Sequence, residues 1–330
     1  MTTRNPEDLL IREQLATANH FVVVSHIRPD GDAIGSMLGF ANALRAAGKR
    51  VDCVLQDAVA PRYWFLPGAR EVLAKLPESY DYLIVVDSAD TRRAGSVLDG
   101  NVKPNLVVDH HKTHLNFGDV DYVEADTEAT ALVLLEKLPD WGLEITPDVA
   151  ACLMTGLLAD TLGFRTNNTT PKALRAAADL MELGVDLVQV YNQTLLMRTL
   201  PEIRYWGQGL SKLEFGDDIL TTTLTLDDRI IAGYPDNDDA DLINTLTTVP
   251  DALVSVLFIE QTNQSVKVSW RSVKGIDVSE IASKFGGGGH ESAAGADIPG
   301  ELEQVRQSVM EETKKTVVRA RAENGKFKYQ

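Results

Sequence analysis

Histidine and aspartate residues follow a short β-branched run near the start of the chain. The run 21–24 is followed by His26, Asp30 and Asp32, and the turn-forming Pro29 allows all three side chains to point into one pocket. Carboxylates combined with an imidazole in this way form a metal-ligand arrangement. A simpler interpretation stays open at this point, because Asp30 and Asp32 could merely cap the helix that follows.

Two further strand-like runs end in the same residue types. Asp87 follows the run 83–86, and Asp109, His110 and His111 follow the run 106–108. Three such placements favour one shared metal site. Carboxylate oxygens and imidazole nitrogens suit Mn, Zn or Mg, and a carboxylate from a central strand can bridge two ions about 3.5 to 4 Å apart. Asp87 is the candidate for that bridge.

A fourth carboxylate, Asp160, ends the apolar helical stretch 152–159. Such a group is costly to bury unless it is paired or bound to a metal. Taken alone, Asp87 and Asp160 could each have a capping or surface role instead.

The elements that must position these residues alternate between short strands and helical patterns, which predicts a parallel α/β sheet. Ligands bind beyond the carboxyl ends of the strands in such sheets, where the candidate residues lie. Thr146 and Thr170 are predicted N-caps of two helices, 147–159 and 171–183. The segment 186–212 is predicted to connect two domains, as a helix broken at Pro201.

A second, smaller α/β domain is predicted after this connection. The run 219–226 is typical of a strand, and the runs 253–260 and 265–270 predict a hairpin. Helices are predicted at 278–285 and 301–321.

Four consecutive glycines, 286–289, precede His290. With glycine at about 7% of residues, chance gives such a run in roughly one chain of this length in a hundred, so a specific role is expected. Glycines let backbone N–H groups approach a phosphate closely, and His290 can add a donor. The alternative is a flexible hinge. Arg271, at a strand end, and Arg165, five residues beyond Asp160, are candidate phosphate ligands that could equally be solvated charges.

The composition limits the partners. A net charge of −16 and a pI near 4.8 make long duplex DNA an unsuitable ligand, although bound cations can reverse the charge at one site. The sequence has no run of 18 apolar residues that would span a membrane. It has only two cysteines, Cys53 and Cys152, and a polar N-terminus, so the cytoplasm is the expected location.

The placement of these residues resembles the four signature motifs of the DHH phosphoesterase superfamily, and the region 284–295 with Arg271 is similar to its DHHA1 domain. The resemblance implies an α/β fold, with a parallel-sheet DHH domain followed by a smaller DHHA1 domain with a mixed sheet. The expected boundaries are 1–190 for the catalytic domain, 191–215 for a helical linker and 216–330 for the substrate-binding domain.

The resemblance also implies a role for each matching residue. Two divalent cations are expected, Mn²⁺ first, with Mg²⁺ or Co²⁺ as alternatives. Asp87 would be shared by both ions, and Asp109 and His111 are the candidate catalytic residues, with His111 contacting a phosphoryl or leaving-group oxygen. The remaining expected ligands are His26 and Asp30 for one ion, and Asp32, His110 and Asp160 for the other. The expected substrate-binding residues are Arg165, Arg271, Gly287, Gly288, Gly289 and His290.

The function implied is two-metal hydrolysis of short RNA or DNA oligonucleotides, of 3'-phosphoadenosine 5'-phosphate, or of both, as in NrnA-type enzymes. RecJ-type exonucleases need DNA-binding domains that 330 residues cannot hold, and family II pyrophosphatases lack the glycine run. A phosphodiesterase of cyclic or linear dinucleotides is an alternative. An alternative from another class is a nucleotide- or RNA-binding module without turnover. The sequence does not decide whether the substrate is RNA or DNA, in which direction it is cleaved, or whether the protein forms a homodimer.

Overall fold

The computed structural model describes residues 5–99 and 102–324, which fall into two units. One unit ends at Met197 and the other begins at Arg198. Among the described residues, no helix combines the length and the apolar character needed to cross a lipid bilayer.

The first unit is built on a five-stranded sheet in which all neighbouring strands are parallel. The strand order is β2-β1-β3-β4-β5. Apart from His20 at the start of β1, the residues of β1 and β3 are apolar or aromatic and buried, as expected of a parallel sheet covered on both faces. The strands are β1 (His20–Val24), β2 (Arg50–Val54), β3 (Tyr82–Val86), β4 (Leu106–Asp109) and β5 (Val120–Val123).

Six helices belong to the described part of this unit. The predicted N-caps are confirmed, since Thr146 accepts a hydrogen bond from the N–H of Val149 and Thr170 accepts one from Lys172. Neither β5 nor α3 was predicted. The helices are α1 (Pro6–Thr17), α2 (Gly31–Ala46), α3 (Thr130–Asp140), α4 (Pro147–Asp160), α5 (Pro171–Glu182) and α6 (Leu187–Tyr191).

The segment expected to be one broken helix over 186–212 is divided differently. Helix α6 leads into a π-helical turn at Asn192–Leu196, and a separate helix, α7 (Leu200–Leu210), begins the second unit. Thr199 and Glu202 form a capping box at its start. Pro201 therefore lies in the first turn of α7, where its missing N–H costs nothing, and does not interrupt a helix.

The second unit contains a six-stranded mixed sheet in the order β10-β11-β9-β8-β7-β6. β7 and β8 are parallel and the other pairs are antiparallel, and β8 and β9 form the predicted hairpin. The strands are β6 (Glu214–Gly216), β7 (Ile219–Leu224), β8 (Val254–Glu260), β9 (Ser265–Ser272), β10 (Gly288–His290) and β11 (Ala293–Pro299). The expected order of a parallel-sheet domain and then a mixed-sheet domain is confirmed.

The helices of the second unit differ from prediction mainly before β8, where two short ones were not expected. Besides α7 they are α8 (Leu226–Ala232), α9 (Leu242–Leu246), α10 (Ser279–Lys284) and α11 (Leu302–Asn324). Separate apolar clusters are centred on Trp270 and on Tyr205.

Candidate metal centre

The carboxyl ends of β1, β3 and β4 lie side by side, since β3 pairs with both other strands. His26 follows β1, Asp87 follows β3, and Asp109 is the last residue of β4. The parallel register therefore gathers the side chains that the sequence had placed at separate strand ends.

Asp30 caps the helix that follows it, as the simpler interpretation held. Its Oδ1 accepts hydrogen bonds from the N–H groups of Asp32, at 3.0 Å, and Ala33, at 3.1 Å. Its Oδ2 lies 3.8 Å from Nε2 of His26. One oxygen thus anchors α2 while the other remains directed at a candidate ligand, so capping and metal binding are compatible.

Asp32 does not cap the helix in which it lies. Its carboxylate is completely buried and accepts hydrogen bonds from Ser36 Oγ at 3.0 Å and from the N–H groups of Thr130 and Ala131 at 2.7 and 3.0 Å. Those two N–H groups start α3, where Ala129 has no capping side chain. Asp32 therefore stabilises the N-terminus of a different helix and places its charge in the cluster.

Close packing of α2 against α4 positions the fourth carboxylate. A Cβ atom on Gly35 would come within 2.4 Å of the carbonyl oxygen of Cys152, and one on Gly156 within 2.5 Å of Asp32 Oδ1. Glycine is needed at both positions for this approach. Asp160 is the last residue of α4, at the negative end of the helix dipole. An ionised carboxylate is disfavoured there unless a positive charge lies nearby.

Asp87 lies between the two candidate ligand histidines. Its Oδ2 is 3.5 Å from Nε2 of His26, its Oδ1 is 3.6 Å from Nε2 of His110, and Thr130 Oγ1 donates to Oδ1 at 3.0 Å. The backbone of Asp87 is left-handed, with φ of 54°, a strained conformation for a residue with a side chain. Strain of this kind is typical of functional positions.

Backbone carbonyls orient both of these imidazoles. Nδ1 of His26 lies 2.8 Å from the carbonyl oxygen of Ile27, and Nδ1 of His110 lies 3.1 Å from that of Thr127. Because a carbonyl only accepts, each Nδ1 carries a proton, and Nε2 is the nitrogen of each ring that faces the carboxylates. Nε2 of His26 is buried and has no hydrogen-bond partner, which a divalent cation would supply.

All six expected metal ligands come together in these contacts. Three groups each offer ligand atoms within 4.8 Å of one another. One group reproduces the set expected for the first ion, and a second contains the set expected for the other ion without Asp87. The third joins Asp87 and His110 to His111, which was not expected as a ligand. The groups are His26 with Asp30 and Asp87, Asp32 with His110 and Asp160, and Asp87 with His110 and His111.

The charges of the cluster are mutually unfavourable without a cation. Burial and the neighbouring charges of Asp87 and Asp160 raise the pKa of Asp32 well above its usual value, and burial also raises the pKa of Asp160. Although burial opposes ionisation of Asp87 too, the adjacent imidazoles of His26, His111 and His110 lower its pKa. Crowded carboxylates with lone-pair nitrogens fit divalent cations and would be costly as a bare anionic cluster.

Asp109 supports two histidines and does not lie among the ligand groups. Its two oxygens are each 2.7 Å from an Nδ1, one on His111 and one on His114. These hydrogen bonds overcome the effect of burial and lower the pKa of Asp109 to about 2. The side chain of His114 is only 4% exposed, and its Nε2 is 3.0 Å from Asp121.

Arg93, which contacts the remaining nitrogen of His111, was not among the residues predicted from the sequence. Its Nη1 lies 3.0 Å from His111 Nε2. Arg93 comes six residues after Asp87, in the loop beyond β3. Arg93 does not directly follow a strand, so the strand-end pattern that identified Asp87 does not identify it.

The other candidates of the first unit lie at the surface. Arg165 is exposed in the turns after α4. Lys112 is exposed, and its Nζ lies 3.7 Å from Asp126. His20 pairs with Asp52 at 2.8 Å, at the opposite ends of the strands from the cluster.

The glycine run of the second unit is an ordered hairpin. Gly288 to His290 form β10, which pairs with β11. A Cβ on Gly287 would lie 2.1 Å from the carbonyl oxygen of Gly295, and Gly289 has φ of 145°, so both need glycine for backbone reasons. A Cβ on Gly288 would meet nothing within 4 Å. The backbone at Gly288 is thus open to its surroundings on the side where a side chain would lie.

Arg271 lies at the end of β9 and is held from two sides. Its Nε donates to Asn244 Oδ1 at 3.2 Å, and its Nη1 donates to the carbonyl oxygen of Trp270 at 3.0 Å. Burial lowers the pKa of Arg271, and the charges of Asp239 and Asp241 oppose that shift. β9 pairs with β11, so Arg271 lies opposite Ala293 in the register.

Comparison with known proteins agrees with this architecture. A family model described as the N-terminal domain of the DHH family matches residues 20–157, and a DHHA1 domain model matches residues 229–319. The bifunctional oligoribonuclease and PAP phosphatase NrnA of Thermus thermophilus is 37% identical over 320 residues, covering 94% of both chains.

Two solved structures share the fold. An exopolyphosphatase-related protein from Bacteroides fragilis has a TM-score of 0.85 at 23% identity, covering 94% of this chain and 97% of that one. RecJ of Thermus thermophilus in complex with Mn²⁺ has a TM-score of 0.51 at 15% identity, covering 95% of this chain and 54% of that one.

Proposed function

This chain belongs to the DHH family and carries a DHHA1 domain, and from that premise we propose that it hydrolyses short oligonucleotides and 3'-phosphoadenosine 5'-phosphate. The relative from Thermus thermophilus is named for both activities. The expected membership of this family is confirmed by the comparisons. The substrates of this chain are an inference from that relative and from the site.

The observation that carries the proposal is the buried cluster around Asp87. Asp87 lies within reach of His26 and His110, each of which belongs to its own group of candidate ligands. A carboxylate shared between two groups is the arrangement that a two-metal phosphoesterase needs.

We infer that the cluster holds two divalent cations, with Mn²⁺ preferred over Mg²⁺ or Co²⁺. His26, Asp30 and Asp87 would hold one, and Asp32, His110 and Asp160 the other with Asp87 shared. When bound, such ions supply Lewis-acid activation of water and neutralise charge that develops on phosphate oxygens. The structure of RecJ with Mn²⁺ motivates the choice of metal.

The residues of the chain supply orientation. The carbonyl groups of Ile27 and Thr127 fix the tautomers of His26 and His110, and the hydroxyl of Thr130 fixes one oxygen of Asp87. Because these partners are already in place, little reorganisation is needed during the reaction.

We assign the second unit to substrate binding. The open space at Gly288 allows a phosphate to approach backbone N–H groups of the hairpin, and His290 and Arg271 supply further donors. The net charge of −16 disfavours long duplex DNA, which would need many compensating basic contacts. Two buried free thiols, Cys53 and Cys152, fit a reducing compartment, and we place the protein in the cytoplasm.

A substrate panel tests the activity. The protein is incubated with Mn²⁺ and, separately, RNA dimers to pentamers, the matching DNA, 3'-phosphoadenosine 5'-phosphate, cyclic dinucleotides and pyrophosphate, and products are separated by chromatography. We expect turnover of short RNA and of 3'-phosphoadenosine 5'-phosphate. Asp87→Ala should be inactive, and Asp126→Ala, at an exposed aspartate, should match the wild type.

Three outcomes would contradict the proposal in different ways. Release of orthophosphate from pyrophosphate in preference to any nucleotide would indicate a pyrophosphatase. Turnover of cyclic dinucleotides alone would indicate the alternative phosphodiesterase. Tight nucleotide binding without turnover of any substrate would indicate a binding module.

A separate variant tests the role of the second unit. His290→Ala should raise KM severalfold more than it lowers kcat, because the side chain is assigned to binding and not to the chemical step. Ser292→Ala, at an exposed neighbour in the same hairpin turn, is the matched control and should change neither constant. A loss in kcat with an unchanged KM would move His290 into the chemical step.

A further inference from the structure

Arg93 connects two of the loops that carry candidate ligands. Its carbonyl oxygen accepts a hydrogen bond of 2.6 Å from the N–H of Ile27, beside His26, and its own N–H donates to Asp90 Oδ1 at 3.0 Å. Its guanidinium reaches the third loop, where Nη1 lies 3.0 Å from Nε2 of His111. The backbone of Arg93 is thus hydrogen-bonded to the loop of His26, and its side chain ends at the loop of His111.

The same contact determines how His111 can act. Nδ1 of His111 lies 2.7 Å from the carboxylate of Asp109, and its Nε2 lies 3.0 Å from a guanidinium that can only donate. The proton of the ring therefore lies on Nδ1, and Nε2 accepts from Arg93. A neutral imidazole held in this way has no N–H directed at a substrate oxygen.

Arg93 retains the donors that His111 lacks. A guanidinium has five N–H donors in one plane and stays charged at every relevant pH, and the contact with His111 uses one of them. The side chain is half-buried, so part of the fork remains accessible. Planar forks of this kind bind two oxygens of one phosphate.

We propose that Arg93 binds a non-bridging oxygen of the scissile phosphate, and that His111 orients the guanidinium and does not itself contact the substrate. The proposal rests on the proposed phosphoesterase function and names a residue of that site. Asp109 then acts indirectly, because it orients His111 and His111 in turn orients Arg93.

Arg92 provides a matched control. It is the adjacent residue, but its side chain is 88% exposed and pairs with Asp90 at 3.1 Å. The variants to compare are Arg93→Gln, Arg93→Lys, Arg92→Gln and His111→Gln, each loaded with Mn²⁺. Metal content by mass spectrometry and the melting temperature identify any variant that has lost ions or its fold.

Steady-state kinetics on a short RNA and on 3'-phosphoadenosine 5'-phosphate should separate the variants. We expect Arg93→Gln to lower kcat/KM about 10²- to 10³-fold with both ions retained, the usual effect of losing one oxyanion donor. Arg93→Lys should recover part of that loss, because it keeps the charge and loses the fork. Arg92→Gln should stay within twofold of the wild type, and His111→Gln should lose less than Arg93→Gln.

Binding of inorganic phosphate to the Mn²⁺-loaded protein, measured by calorimetry, tests the contact without turnover. Arg93→Gln should weaken phosphate binding at least tenfold and Arg92→Gln should not. Wild-type phosphate affinity in Arg93→Gln would overturn the proposal, as would loss of a metal ion in that variant. A larger loss in His111→Gln than in Arg93→Gln would return the substrate contact to His111. A wild-type protein without turnover of any substrate would refute the proposed function alone, because phosphate binding still decides the role of Arg93.

Discussion

The carboxylate of Asp32 accepts a hydrogen bond of 2.7 Å from the backbone N–H of Thr130, a residue 98 positions further along the chain. A second bond of 3.0 Å comes from Ala131. The aspartate is therefore a candidate metal ligand that also supplies the capping hydrogen bonds of α3, whose own N-cap residue, Ala129, has no capping side chain. The hydroxyl of Thr130 in turn donates to Asp87, so the start of α3 and the candidate bridging carboxylate are fixed together.

Replacement of Asp32 should cost stability even without metal. In EDTA, Asp32→Ala should be less stable to urea than Asp160→Ala by about 1 to 2 kcal/mol, the usual value of an N-cap. Each variant removes one carboxylate from the crowded cluster, so both gain stability from reduced repulsion. The remaining difference between their unfolding free energies is then the loss of the capping hydrogen bonds in Asp32→Ala. Equal unfolding free energies of the two variants would show that Asp32 contributes no cap.

Five of the six ligand candidates were predictable because they follow strands closely in the sequence, and the sixth, Asp160, because it ends an apolar helical run. A polar residue directly after an apolar run can be recognised in the sequence, and neighbouring parallel strands bring such residues to one edge. The roles of Thr130 and Arg93 were not predictable in this way. Each depends on a distance between segments far apart in the chain, and no local pattern encodes that distance.

Removal of Asp87 should abolish binding of both ions. Asp87 has one oxygen near each candidate ligand histidine, so Asp87→Ala removes an atom from both groups. Metal content after dialysis against Mn²⁺ should fall from two ions per chain to none. Asp160→Ala, which removes a ligand of one group only, should retain one. Two tightly bound ions in Asp87→Ala would refute the bridging assignment.

Asn244 should affect substrate binding through Arg271. Loss of the amide oxygen that accepts from Nε releases the guanidinium, so Asn244→Ala should raise KM severalfold and leave kcat nearly unchanged. Asp251→Ala, at an exposed position beyond α9, is the control. In a double-mutant cycle, adding Asn244→Ala to Arg271→Ala should have little further effect. Additive effects on KM would mean that Asn244 acts independently of Arg271.

The second domain shows a similar division between local and distant information. The hairpin of β8 and β9 was predicted from two β-rich runs and a short polar turn. The glycine run was interpreted as a phosphate-binding segment, with a flexible hinge as the alternative. Its strand structure was not predicted, because the pairing with β11 depends on residues that follow it. Close approach to the carbonyl oxygen of Gly295 explains Gly287, which no count of glycines could show.

The pair of Lys212 and Asp228 should make the stability of the second unit depend on pH. Asp228 is buried, and its Oδ1 accepts from Lys212 Nζ at 2.6 Å while it also caps α8 through Thr225. Burial opposes ionisation, but these hydrogen bonds lower the pKa of Asp228 below its usual value. The folded state therefore binds this proton less readily than the unfolded state does.

For such a group the stabilisation is fully present above the unfolded pKa, about 3.9, and is lost as the pH falls through the lower folded pKa. Hydrogen exchange of peptides from α8, corrected for the intrinsic rate, gives the opening free energy at each pH. At pH 7 Asp228→Asn should lower it by about 1 kcal/mol, since Lys212 is partly exposed and screened. The difference from the wild type should shrink as the pH falls from 5 to 3. Asp227→Asn, at the exposed neighbouring position, should show no such dependence on pH. If the difference in opening free energy between the wild type and Asp228→Asn stays constant with pH, ionised Asp228 is not the source of that difference.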